Sequence, residues 1–185
     1  MFGWVILGVV VLAALYAVVL YNGLVKSRQM VEEGWSGIDV QLKRRTDLIP
    51  NLMETVKGYM GHERETLEAV TNARAAATSA ASGSPAQRAQ AEGQLSQALG
   101  RLIATAEAYP DLKASTNFLE FQAALQTIED EIQMARRYYN GAVRNLNVMV
   151  ESVPSNFIAG PFGFQKAEYF ELEDTADRAV PSVKF

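Results

Sequence analysis

The chain has no cysteine and only one histidine among its 185 residues. The first absence removes disulfides, thiolate metal sites and cysteine nucleophiles together. It fits either side of a membrane and so fixes no compartment. The second absence removes most metal and acid–base schemes. His62 precedes Glu63, but position 66 is threonine, so the H-E-x-x-H spacing of zinc hydrolases fails. Position 59 is tyrosine, so the Glu-x-x-His pair of di-iron bundles fails as well. Basic charge is also short. Lys+Arg is 17 against Asp+Glu 21, a formal net charge of -4, which lacks the basic face that neutralises phosphates and speaks against a nucleic-acid partner. There is no G-x-S-x-G elbow and neither of the glycine-rich nucleotide loops; Gly160-Pro161-Phe162-Gly163 is a turn. Asp39, Asp47 and Glu54 share one helical stretch and read as its wet face rather than a carboxylate site. These absences lead us to expect no enzyme, no cofactor and no metal.

Phe2 to Tyr21 carries no charge and no strongly polar side chain. Twenty such residues at about 1.5 Å each cover the roughly 30 Å hydrocarbon core of a bilayer. Trp4, Tyr16 and Tyr21 lie toward its ends, where amphipathic rings favour the interface. A cleavable signal peptide needs a basic leader and a small-residue cleavage site. Nothing basic precedes the run, and Tyr21-Asn22-Gly23 is a poor site, so the segment reads as a retained anchor. Lys26 and Arg28 follow it, with Lys43, Arg44 and Arg45 beyond. The excess of basic residues on that side places the long C-terminal part in the cytoplasm.

Beyond the anchor an apolar seam runs Val31, Trp35, Ile38, Leu42, Arg45, Ile49, Leu52, Val56, Tyr59. Steps of four and three alternate without a slip, the spacing of a helix packed along a partner. Two features interrupt it: a guanidinium at Arg45 and a proline at Pro50. Because the seam keeps its phase through Pro50, the stretch reads as one kinked helix rather than a new helix capped by Asp47. Its far end, Val70 to Ala81, is alanine-rich and reads most simply as a thin, solvated hairpin tip, although alanine also permits close approach of a neighbour.

Ser82-Gly83-Ser84-Pro85 breaks the helix, and Ser84 with Gln87 forms a capping box that starts the next. Ala91, Leu95, Ala98, Leu102, Thr105 and Tyr109 form its seam, up to Pro110. The short connection makes these two helices antiparallel neighbours. After a turn at Asp111 to Ser115, a third helix carries the cleanest pattern, from Phe118 through Leu125, Ile132 and Tyr139 to Val153. Arg45 on a packed seam needs a partner, and one of Glu129, Asp130 or Glu131 is expected to supply it. Pro154 ends this helix. The tail has no helical period but concentrates Phe157, Phe162, Phe164, Tyr169 and Phe170. These rings have three dry destinations: the flank of their own bundle, a groove on another copy, or the membrane surface. Glu168 to Asp177 reads as a solvated acidic run.

WSGIDVQLKRRTDLIPNLMETVKGYMGHE, TNARAA, AYPDLKASTNF, IEDEIQMARRYYNGAVRNLN and VPSNFIAG, taken in order, resemble the LemA family of bacterial membrane proteins. The resemblance covers nearly the whole chain. It implies a single N-terminal span, a helical bundle expected in the cytoplasm, and no settled reaction. A branch in magnetosome-forming bacteria is associated with building intracellular membrane compartments, which implies a membrane-organising role.

The expected fold is therefore all-α: a transmembrane helix (1–22), a long antiparallel helical bundle (23–153, helices about 24–81, 85–109 and 117–152), and an irregular aromatic tail (154–185). The expected function is a non-catalytic scaffold in the bacterial inner membrane, single-pass and homo-oligomeric, that contacts the bilayer through residues 2–21 and organises membrane or partner proteins. The alternative is an adaptor that presents its bundle to a membrane protease or transporter. Candidate interaction residues are Trp35, Asp39, Gln41, Lys43, Arg44, Arg45, Asp47 and Pro50 around the kink, with Phe157, Phe162, Phe164 and Phe170 in the tail. For the charges, two readings stand: ion pairs between neighbouring helices, or contacts that set how copies sit side by side.

Overall fold

The computed structural model describes residues 2–171. Among the described residues the chain is all-α: α1 Phe2–Lys57, α2 Arg64–Ser79 with a 3-10 turn Ala80–Ser82, α3 Pro85–Ala106, α4 Pro110–Lys113, α5 Thr116–Glu151 and α6 Asn156–Ala159. The acidic run beyond Glu171 lies outside the described residues.

The described chain divides into two compact units, one of residues 2–38 with 135–169, the other of 39–134 with 170 and 171. In the first unit, the side chains from Phe2 to Tyr16 stand exposed, and this is the one helix among the described residues long and apolar enough to cross a membrane. From Leu24 the same helix becomes a packed one. Leu24, Leu146, Ala159 and Phe164 form a small buried cluster, flanked by Val31, Met149 and Ile158. α1 and α5 run antiparallel here, so that Gly34 faces Tyr139 and Gly23 faces Met149.

The second unit is a bundle of four principal helices. Ile49, Leu52 and Val56 of α1, Val70 and Ala77 of α2, Leu95, Leu99 and Leu102 of α3, and Phe118, Phe121 and Leu125 of α5 share one core, with Leu112 of α4. The helix expected over 24–81 is therefore two helices. α1 ends at Lys57, and α2 returns along it, with Arg74 reaching Thr46. Gly58 and Gly61 disfavour helix by about 1 kcal/mol each relative to alanine. Reversal between them lets Val70 and Ala77 bury on the core that holds Val56. The alanine-rich segment is accordingly one-sided: Val70 and Ala77 are buried, whereas Thr71, Asn72, Ala75, Ala76, Thr78 and Ser79 stay exposed on the way to the hairpin turn. The seam also leaves its expected course at this turn: Met60 is fully buried, whereas Tyr59 is exposed.

α1 does continue through Pro50, so no helix starts at Asp47. The Ser84 cap is present as expected, with Gln87 N–H donating to Ser84 Oγ at 3.3 Å and Ser84 N–H to Gln87 Oε1 at 3.0 Å. α3 is the antiparallel neighbour of α2. It runs parallel to α1, as the pairing of positions 39 with 88 and 45 with 92 shows.

Candidate functional site

A group of interlocked charged side chains is built on the second unit's α1, α3 and α5. Arg45 is 1 % exposed. Its Nη2 donates to Glu92 Oε2 at 2.5 Å and to the Glu92 carbonyl at 3.3 Å. Its Nη1 donates to Glu129 Oε1 at 2.6 Å and Ser96 Oγ at 2.7 Å. Of the three carboxylates expected as partners, Glu129 holds Arg45. Glu131 holds Arg44, and Asp130 accepts from Gln126 on its own helix. Next to this group, buried Arg88 binds Asp39 and the Ala81 carbonyl.

Sequence reasoning missed Arg88, Glu92 and Ser96. The signal was there: Arg88, Glu92, Leu95, Leu99, Leu102 and Ala106 step by four and three, and all are buried. Admitting no charged residue to the seam put it instead on Ala91 and Thr105, which are half-buried. Burying three charges is costly in desolvation, and each is paired: Arg45 with Glu92 and Glu129, and Arg88 with Asp39. Both carboxylates are engaged by one guanidinium, which ties α1 to α3 and α5 at this level.

The other residues around Pro50 form no single patch. Lys43 and Asp47 pair along α1 at 3.1 Å, and Gln41 accepts from Arg44 at 2.8 Å. Trp35 belongs to the first unit, where its ring lies 5.4 Å from that of Tyr139. Pro50 itself is exposed, and the carbonyl that it deprives of a donor, that of Thr46, accepts from Arg74 Nε at 3.2 Å.

The tail aromatics divide between destinations. Phe164 and Phe170 are buried on their own chain, whereas Phe157 is 69 % and Phe162 61 % exposed. Tyr21 of α1 meets Phe162 and Phe164 edge-on at 5.0 and 5.7 Å, and the Arg28 guanidinium lies 5.2 Å from the centre of the Phe164 ring. Asn147 and Tyr139 pin the stretch that follows: Asn147 bonds both backbone groups of Ala167, and Tyr139 Oη donates to the Glu168 carbonyl at 2.8 Å. Burial, and then the nearby Glu168, hold the Tyr139 hydroxyl above its usual pKa.

A sequence model of the LemA family matches residues 34–185. Curated relatives include magnetosome protein MamQ 2 of Paramagnetospirillum magneticum, 25% identical, with 86% of this chain and 68% of the relative covered. Magnetosome protein MamQ of Magnetospirillum gryphiswaldense is 24% identical with the same coverage. Protein LemA of Metamycoplasma hominis is 26% identical, with 83% and 69% covered.

Proposed function

The chain belongs to the LemA family, and from that premise we propose that it is a membrane-anchored, non-catalytic helical scaffold whose copies associate and so organise or shape membrane or partner proteins. The observation that carries this reading lies within the first unit. The apolar helix passes without a loop into Leu24–Ile38, which packs against α5, so whatever holds the packed part also holds the anchor. The relatives' names, magnetosome protein and protein LemA, name no reaction. The buried charges support the same reading, because they are spent on fixing helices. Lys26 and Arg28 favour the cytoplasmic side of a bacterial inner membrane for the chain beyond the anchor. Protease protection of a C-terminal tag in sealed inverted vesicles would contradict that orientation.

The test of the scaffold is the size of the full-length protein in mild detergent, by mass photometry and electron microscopy. Large closed or curved assemblies are expected. A monomer or dimer at working concentration overturns the scaffold and leaves the adaptor reading. Charge reversal to probe contacts between copies belongs at exposed Arg44 and not at Arg45, which is core.

A further inference from the structure

The loop after α5 has three properties that belong together. First, residues 152–165 carry no charged side chain, and the charges that bound them, Glu151 and Lys166, pair with each other at 2.7 Å across its neck. Second, from 156 to 164 every residue that has a backbone N–H donates it within the loop. Such internal satisfaction is what hydrocarbon demands of a backbone and water does not. Third, the loop lies beside the anchor itself. Ala17, Val18 and Tyr21 of the apolar run line one concave apolar surface with Ile158 and Phe162. Ala17 lies a full turn inside that run, about 6 Å below Tyr21 at the rise of a helix.

Val153, Phe157 and Phe162 nevertheless remain mostly exposed. A loop that shares this surface with Ala17 and Val18 lies at their depth, so wherever those residues meet lipid the loop meets it too. From this we infer that residues 152–165 form a second membrane contact, an uncharged aromatic foot resting in the interfacial layer beside the span, with Phe157 and Phe162 facing lipid. Aromatic rings favour this boundary, and the Glu151–Lys166 pair marks its water side.

The inference rests on the anchor reading, and the experiment separates the two. Because the chain has no cysteine, Phe157→Cys, Phe162→Cys and Val153→Cys each give one labelling site in the full-length protein. Each is labelled with a bimane probe, reconstituted into phosphatidylcholine vesicles, and quenched by doxyl-lipid or by aqueous iodide. Leu12→Cys serves as the span reference and Arg137→Cys as the water reference. The foot predicts lipid quenching several-fold above that of the Arg137 label, strongest with the doxyl group near the headgroups, and weak iodide quenching. Iodide quenching equal to that of the Arg137 label overturns it. Shielding from both quenchers, as under a second copy, overturns it as well. A Leu12 label that lipid does not quench defeats the anchor reading, and the foot with it. Phe157 is 69 % and Val153 72 % exposed, so they carry the test if loss of the Tyr21 contact unfolds the Phe162 variant.

Discussion

Arg74 Nε donates to the carbonyl of Thr46, the acceptor that Pro50 leaves without its helical partner four residues on. An interior proline costs a helix about 3 kcal/mol through the missing N–H and ring crowding. A cation from the neighbouring helix offsets part of the first loss. The heptad seam keeps its phase through position 50 because packing on both sides holds it, with Ile49 and Leu52 both buried.

This relationship predicts a coupling. Arg74→Met strands the Thr46 carbonyl and should destabilise by about 1–3 kcal/mol in urea. Pro50→Ala restores an N–H to that carbonyl, so in its background the same substitution should cost clearly less. A double-mutant cycle reads the difference. Additive costs would mean that the Arg74 contact does not serve the proline.

Removing Arg45 leaves the nearly buried Glu92 and the half-buried Glu129 without their cation. Arg45→Ala should therefore cost about 3–5 kcal/mol, the range for breaking a buried pair from one side. Replacing the group by apolar residues, Arg45→Met with Glu92→Leu and Glu129→Leu, should recover most of that loss. Equilibrium unfolding measures both. Equal instability of the single and triple variants would point to the hydrogen bonds rather than the unpaired charge.

Two glycines three residues apart predict opposite signs. A Cβ on Gly34 would lie 3.0 Å from Tyr139 Cα, a backbone atom that cannot swing away. Gly34→Ala should thus force α1 and α5 apart and cost about 1–3 kcal/mol. A Cβ on Gly37 meets nothing within 4 Å. Gly37→Ala should stabilise by roughly 0.5–1 kcal/mol through backbone entropy alone. Thermal melts of the two variants decide.

The raised Tyr139 pKa predicts an alkaline limb. The folded state favours the neutral phenol, so this contribution is present below pH about 10, the unfolded value, and is lost as pH rises through the higher folded pKa. Tyr139→Phe should lower stability at neutral pH by about 1 kcal/mol, the net worth of its hydrogen bond to the Glu168 carbonyl. It should also flatten the loss above pH 10 in melts taken across pH 8 to 12. An unchanged alkaline slope would assign that limb to other groups, among them Tyr138, whose hydroxyl is also raised by desolvation and by Glu33.

What the residues determine on their own is local. The apolar run to Tyr21, the Ser84–Gln87 cap and the α5 pattern from Phe118 to Leu146 can be read from the chain, because each is set by neighbours within a turn or two. The need of Arg45 for a carboxylate is legible as well, since a buried guanidinium without one is too costly to persist. Which carboxylates answer is decided by tertiary structure. Glu92 lies 47 positions away on a helix whose phase shows only once charged residues are admitted to the seam. The reversal at Gly58–Glu63 was hidden for a related reason: a heptad seam scores the same whether the helix continues or turns back, and only burial of Val70 and Ala77 on the Val56 core distinguishes them. The aromatic tail shows the limit most plainly. Phe157, Phe162 and Phe164 are chemically one residue type, and their separate fates follow from where the fold puts Tyr21 and the neck at Glu151 and Lys166.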